Sequence, residues 1–488
     1  MIRVLLILFA YLSSLFSQYT PLEKSNFTRL TSYEELKKYV AEIDKNSRLI
    51  KKEVLTTTNE GREIYILYFS KGDFGKNKNK LKILFFAQQH GNEQSGKEGV
   101  LFLIKELLKK ENHYLFDRID LALIPQMNPD GSEKNQRRNS NGVDLNRNHL
   151  ILTENETKAL HKLFDKYNFE VTLDVHEYFP YSNDWREFGY YKNADEQMGL
   201  LTNLNINEKL RSYQKNKVLP FIENYLKAKN YTFCEYVVGG PPNKERLRHS
   251  TVDINDGRQS FGILNTLSFI LEGKNGRDFY LDNIERRAKG QCETMLGLLK
   301  FCYQNQKEIK KLVEAARKDI LKKDSVIIRS DHFPDGQSFK LPVKLVGEEK
   351  DTIISISNYH PVIESLLKIK IPFAYLIPKN DELLVEFIQN HNLRYSEIIP
   401  DDKVISRYEV INIDSILIEG EYLVDIQIQE QRVNKEELGQ KYLVIPTDQL
   451  KKNLIVLAFE PQSMSGLVQY EKFRYLYNGK NYPILKIE

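Results

Sequence analysis

Leu81 to Ala87 reads LKILFFA and runs straight into Gln88-Gln89-His90-Gly91-Asn92-Glu93. A near-continuous apolar run of this length is what a strand buried on both faces requires. It predicts an inner strand of a covered sheet, with polar side chains delivered just beyond its carboxyl end. The amphipathic stretch Ser95 to Leu108 that follows supplies a covering helix. Working outward, the same alternation repeats. Ile119 to Ile124 (IDLALI) is a second apolar run and is followed by Asn128-Pro129-Asp130-Gly131, a turn signature. A helical stretch from Glu154 to Tyr167 feeds the strand Glu170 to Val175 and then His176, and Gly262 to Leu271 (GILNTLSFIL) ends at Glu272. Strands alternating with helices predict an α/β fold, with a mixed, mostly parallel sheet flanked by helices. The chemistry of such a sheet lies at the carboxyl ends of its strands. His90, His176 and Glu272 occupy equivalent places in three βα units.

With 488 residues the chain is long enough for two domains with sizeable cores. Its 71 basic and 67 acidic side chains leave a formal charge of only +4, which gives no concentrated basic face and argues against a nucleic-acid partner. Met1-Ile2-Arg3, the apolar run Val4 to Leu12 and the small residues up to Ser17 match a signal peptide over residues 1–17, so export to a periplasm or to the medium is expected. No later segment reads as a transmembrane anchor. Cys234, Cys292 and Cys302 form no disulfide framework and no CxxC pair. Residues 18–305 read as the α/β catalytic domain and 306–323 as a helical linker. From Ser32 a helix is expected, with that serine as N-cap, and a long helix runs from Asn283 to Lys323. After Asp324 the texture turns to short β-type runs, among them Leu341 to Leu345, Val410 to Ile413, Tyr422 to Ile428 and Leu454 to Phe459. One helical stretch, Asp381 to Gln389, interrupts them. Residues 324–488 are therefore expected to form a smaller β-rich domain, whose partner the sequence does not identify.

A catalytic zinc takes three protein ligands of the His/Glu type and keeps a fourth position for water. His90-x-x-Glu93 supplies two on one tight turn, and Gly91 permits a close backbone approach there. The spacing alone is weak, because His-x-x-Glu pairs arise by chance in a chain of this composition. His176 alone reads more readily as a satisfied core histidine than as a ligand. A dense polar run, Arg137-Arg138-Asn139-Ser140-Asn141-Gly142-Val143-Asp144-Leu145-Asn146-Arg147-Asn148, has neither helical nor strand periodicity and suggests a fixed loop that presents side chains.

Taken together and in order, HGNE (90–93), NPDG (128–131), RxN (137–139), GVDLNRN (142–148), a strand-end His176 and a strand-end Glu272 resemble the zinc carboxypeptidases, of which the pancreatic enzymes are the best known. The resemblance spans about residues 80 to 280 and implies a carboxypeptidase-like fold. It implies one Zn²⁺ per chain held by His90, Glu93 and His176, with Glu272 as general base. Arg137 would polarise the scissile carbonyl, a place that Arg138 could take instead. Asn146 and Arg147 would bind the terminal carboxylate of a peptide substrate, and Asp144 would hydrogen-bond the first zinc histidine. Asn128 to Gly131 would shape the pocket floor, and Glu177 would be a wall or surface residue. The chain departs from the pancreatic pattern in one respect: Arg246 to Ser260 (RLRHSTVDINDGRQS), before the base-bearing strand, holds no tyrosine. Side-chain preference stays open for that reason. Physical chemistry supports the assignments separately. Zinc lowers the pKa of bound water to about 7, a carboxylate can take its proton, and an arginine can pair bidentately with a carboxylate. Two other functions share some of these features: a zinc-dependent N-acyl amino acid deacylase of the aspartoacylase and desuccinylase kind, and a non-catalytic carboxylate-binding relative.

Overall fold

The computed structural model describes residues 19–348, 350–400, 402–438 and 441–488. The segment read as a signal peptide lies outside them. Among the described residues no helix is long and apolar enough to cross a membrane.

The central sheet has eight strands: β1 (Ile50–Thr57), β2 (Glu63–Phe69), β3 (Leu81–Ala87), β4 (Ile119–Ile124), β5 (Val171–Tyr178), β6 (Glu196–Gly199), β7 (Phe233–Glu235) and β8 (Leu267–Lys274). Their spatial order is β1-β2-β4-β3-β5-β8-β6-β7. The four inner strands β4, β3, β5 and β8 run parallel, with antiparallel partners on either side. Every residue of β4 and β5 is buried, as the apolar runs require of strands covered on both faces. Helix α1 (Tyr33–Asn46) starts at Ser32, which forms a reciprocal capping box with Glu35. Helices α2 (Gln94–Leu108), α3 (Asn155–Tyr167) and α4 (Ile284–Gln304) follow. The stretch read as one long helix from Asn283 is two, because the chain breaks at Asn305 before α5 (Gln306–Lys322).

The C-terminal part is built on a five-stranded antiparallel sheet whose outer pair is a long hairpin, β9 (Ile405–Ile418) and β10 (Glu421–Val433). Glu419 and Gly420 turn it with φ of +53° and +85°, the left-handed pair that a two-residue hairpin loop requires. Helix α6 (Glu382–Asn390) lies one residue from its expected start. Leu454 to Phe459, read as a strand, is instead helix α7 (Lys452–Phe459), with every residue buried. A short apolar run carries no periodicity that separates a buried strand from a buried helix. The two parts of the chain share hydrogen bonds. Tyr190–Lys192 pairs with Val343–Leu345, and Leu247–Arg248 pairs with Tyr359–His360.

Candidate metal centre and substrate cleft

His90 leaves the end of β3 through an unusual turn. Gln88 sits at φ +58°, a conformation a non-glycine residue adopts at a cost, and its buried side-chain amide donates to Gly91 O and Ser132 Oγ. A Cβ on Gly91 would lie 2.2 Å from the Gly131 carbonyl carbon, so only glycine lets the two loops touch. Asn128 joins them further. Its Oδ1 accepts from Gly131 N at 2.8 Å, capping the short helix Pro129–Glu133, while its Nδ2 donates to Gln89 O at 3.0 Å. The NPDG segment is thus the support on which the His90 loop rests.

His176 comes from inside β5, and the register puts Glu272 of β8 directly beside it and Gln197 of β6 beside Glu272. The three side chains therefore share one face at one level of the sheet. His176 Nδ1 lies 3.1 Å from His90 Nδ1 and 2.9 Å from Glu93 Oε2, and His90 Nδ1 lies 2.7 Å from Glu93 Oε1. Among the described residues this is the one group of three such side chains whose donor atoms converge.

The outer ring nitrogens each face a carboxylate. His90 Nε2 meets Asp144 Oδ1 at 3.0 Å, and His176 Nε2 meets Asp174 Oδ1 at 2.8 Å. Asp144 hydrogen-bonds His90 Nε2 and Asp174 is the ion-pair partner of His176 Nε2, which leaves both Nδ1 atoms and the Glu93 carboxylate facing one another. Such a set repels itself unless positive charge lies among it. A tetrahedral zinc with ligands at about 2.0–2.1 Å separates its donors by roughly 3.3 Å, slightly wider than the distances found, so the donor set fits that ion. The electrostatics agree. Burial alone would raise Glu93 and lower His176, yet His90 and His176 drive Glu93 well below the ordinary carboxylate range, and Asp174 and Glu93 drive His176 well above the ordinary imidazole range.

Asp144 caps the turn Leu145–Arg147 by accepting from Asn146 N at 3.0 Å, so one carboxylate fixes both the first histidine and the loop that carries Asn146 and Arg147. Burial would raise it, but the His90 hydrogen bond and the charges of Arg137 and Arg147 hold it well below the usual range. Arg137 Nε donates to Asp144 Oδ2 at 3.0 Å, and its guanidinium reaches within 3.6 Å of Glu93. Its side chain remains 45% exposed, so it stays open to a substrate. Arg138 instead donates to Gly142 O on the surface, so of the two arginines it is Arg137 that faces the cluster. Asn146 is anchored through Oδ1 to Gly257 N at 2.8 Å. Arg147, Glu272 and Glu177 also line the cleft. Glu177 is committed there to a buried ion pair with Arg287 at 2.7 Å. Burial chiefly, with Glu93 and Asp174 adding, pushes the Glu272 carboxyl up to about 7, against the pull of the two histidines.

Sequence reasoning missed Asp174 and what lies behind it. Asp174 Oδ2 accepts from Gln89 Nε2 at 2.8 Å, Gln89 Oε1 lies 2.8 Å from His149 Nε2, and His149 Nδ1 lies 3.0 Å from His161 Nε2. A buried hydrogen-bonded chain thus holds the carboxylate that orients His176, and burial keeps His149 neutral by lowering it to about 4. The available signal was a carboxylate two residues before His176, on the same face of an otherwise apolar strand. Asp174→Asn should weaken zinc binding roughly 10- to 100-fold, as loss of such a partner typically does. Chelator competition measures this, and unchanged affinity would remove Asp174 from the metal centre. The loop from Arg246 to Ser260 indeed brings no tyrosine, but the cleft contains Tyr236 and Tyr470, which arrive from outside it.

Residues 36–231 match the family described as Zinc carboxypeptidase. The match takes in the HGNE, GVDLNRN and His176 elements and stops short of Glu272. Carboxypeptidase 2 of Trichophyton tonsurans is 23% identical over 447 residues, covering 88% of this chain and 81% of its own. Carboxypeptidase D of Homo sapiens is 29% identical over 163 residues, 28% of this chain and 12% of its own. Among solved structures, a metallo-carboxypeptidase from Burkholderia cenocepacia superposes with a TM-score of 0.44 at 19% identity, over 56% of this chain and 69% of that one.

Proposed function

We propose that this chain carries a zinc carboxypeptidase domain, is thereby a metallopeptidase, and releases the C-terminal residue of peptides using the His90, Glu93 and His176 centre. The observation that carries this reading is the convergence of three donor atoms at a cleft of about 700 Å³ that His90, Glu93, Glu272 and Arg147 line together. Zinc held there by His90, Glu93 and His176 would supply an acidified water and polarise the scissile carbonyl.

The chain's own residues do the rest. Glu272, next to His176 in register, takes the proton of the attacking water and passes it to the leaving amine. Its burial raises its basicity, and a cation at the centre offsets that rise. Arg137 stabilises the negative charge that develops on the carbonyl oxygen. Arg147, kept charged by Asp256, Asp144 and Asp253 despite its burial, binds the terminal carboxylate with Asn146. Asp144 and Asp174 keep both imidazoles in the Nε2–H form, so that the Nδ1 atoms remain free for the metal.

The test compares a peptide with a free C-terminus, its amidated twin and an N-acyl amino acid. The free peptide alone should be cleaved well. Arg147→Ala should cost it roughly 10- to 100-fold in kcat/KM, the loss of a charged hydrogen-bonded pair. Equal cleavage of the amidated twin would defeat the exopeptidase reading, and faster cleavage of the N-acyl amino acid would favour a deacylase.

A further inference from the structure

One wall of the cleft comes from the C-terminal part of the chain and has no place in the chemistry above. The hairpin tip, through Glu419 and Glu421, and Tyr470 line the cleft together with Arg147. The tip is locked in place. Glu419 accepts from Thr251 Oγ1 at 2.8 Å and Val252 N at 3.2 Å, while Arg248 donates to the Glu419 carbonyl at 2.8 Å. Two residues further along that loop, Asp253 accepts from Ser465 Oγ at 3.0 Å, a second tie to the C-terminal part.

The charges here do not balance within the protein. Glu419 is matched by Arg248 at 3.7 Å. Asp253 is held only by neutral donors, Ser465 Oγ and Asn255 N, and among the described residues neither it nor Glu421 enters an ion pair. Arg147 is the cation whose field reaches Asp253, and in the reading above the terminal carboxylate of the substrate occupies Arg147. Ser250 adds an independent sign of a ligand. It is 6% exposed, lines the same cleft, and its hydroxyl has no hydrogen-bond partner among the described residues.

We propose that the C-terminal part completes a side-chain subsite beside Arg147, walled by Ser250, Asp253, Glu421 and Tyr470, which takes a C-terminal residue with a positively charged side chain. The inference rests on the carboxypeptidase reading. A cationic side chain supplies the charge that Asp253 loses when Arg147 is engaged, and Ser250 offers its end a further acceptor. A neutral side chain leaves a half-buried carboxylate uncompensated, and an acidic one is repelled.

The full zinc-loaded chain would be assayed on blocked tripeptides that differ only in a last residue of Lys, Arg, Leu, Phe or Glu. The kcat/KM for Lys and Arg should exceed that for Leu by about tenfold or more, with Glu slowest. Asp253→Asn and the exposed-tip substitution Glu421→Lys should each reduce the Lys-to-Leu ratio, and Glu421→Lys should speed release of Glu. Circular dichroism and zinc content would establish that both variants are folded. A wild-type Lys-to-Leu ratio at or below one overturns the proposal, as does a ratio that neither variant moves. Cleavage of none of the five peptides would strike instead at the carboxypeptidase reading, and this inference would fall with it.

Discussion

Glu272→Gln is expected to bind one zinc per chain and to lose about 100- to 10,000-fold in kcat, the range that a positioned proton acceptor supplies. The substitution keeps the shape of the side chain and removes only its basicity. Glu272 is not among the three converging donors, so the metal should remain. The pH profile separates this role from a structural one. In the wild type kcat/KM should fall on the acid side as Glu272 takes up a proton. Burial sets that pKa at about 7, and zinc, by its charge, draws it lower. The rate should therefore be lost as pH falls below neutrality, because only the ionised carboxylate can accept a proton. In Glu272→Gln that acid limb should vanish from the residual rate. A variant with near-normal turnover would give the base to another residue.

His176→Ala is expected to lose both zinc and turnover. The remaining His90 and Glu93 cannot close a site, and removing one member leaves the buried Glu93 short of a partner that stabilises its charge. Elemental analysis should find well under one zinc per chain. Peptide hydrolysis should fall to background, and added zinc should not restore it. Stripping the wild-type protein with a chelator should abolish activity reversibly, with recovery on adding zinc. Full occupancy in His176→Ala would mean that the ion is held by other groups.

Much of the sheet and its site could be read directly because the signals were local. LKILFFA became β3 over the residues expected, and the apolar strand before His176 became β5. Arg137, Asp144, Asn146 and Arg147 lie close together in sequence, so two adjacent motifs, RxN and GVDLNRN, named them all, and the structure brings them to the cleft at the His90 cluster. What escaped was long-range. Gln89 and Asp174 are 85 residues apart and meet because β3 and β5 are neighbours. The Glu419 contact with Val252 joins residues 167 apart, and no periodicity or turn signature announces that a hairpin tip will end in a cleft. Leu454 to Phe459 failed for a different reason, since a wholly buried apolar run looks alike in either secondary structure.

The most direct test of the metal centre is anomalous diffraction at the zinc edge from crystals of the zinc-loaded protein. One strong peak should lie about 2.0–2.2 Å from His90 Nδ1, His176 Nδ1 and a Glu93 carboxylate oxygen, with the Glu272 carboxylate facing it and not ligating. A peak elsewhere, or one bound by His90 and Glu93 while His176 stays apart, would contradict the account.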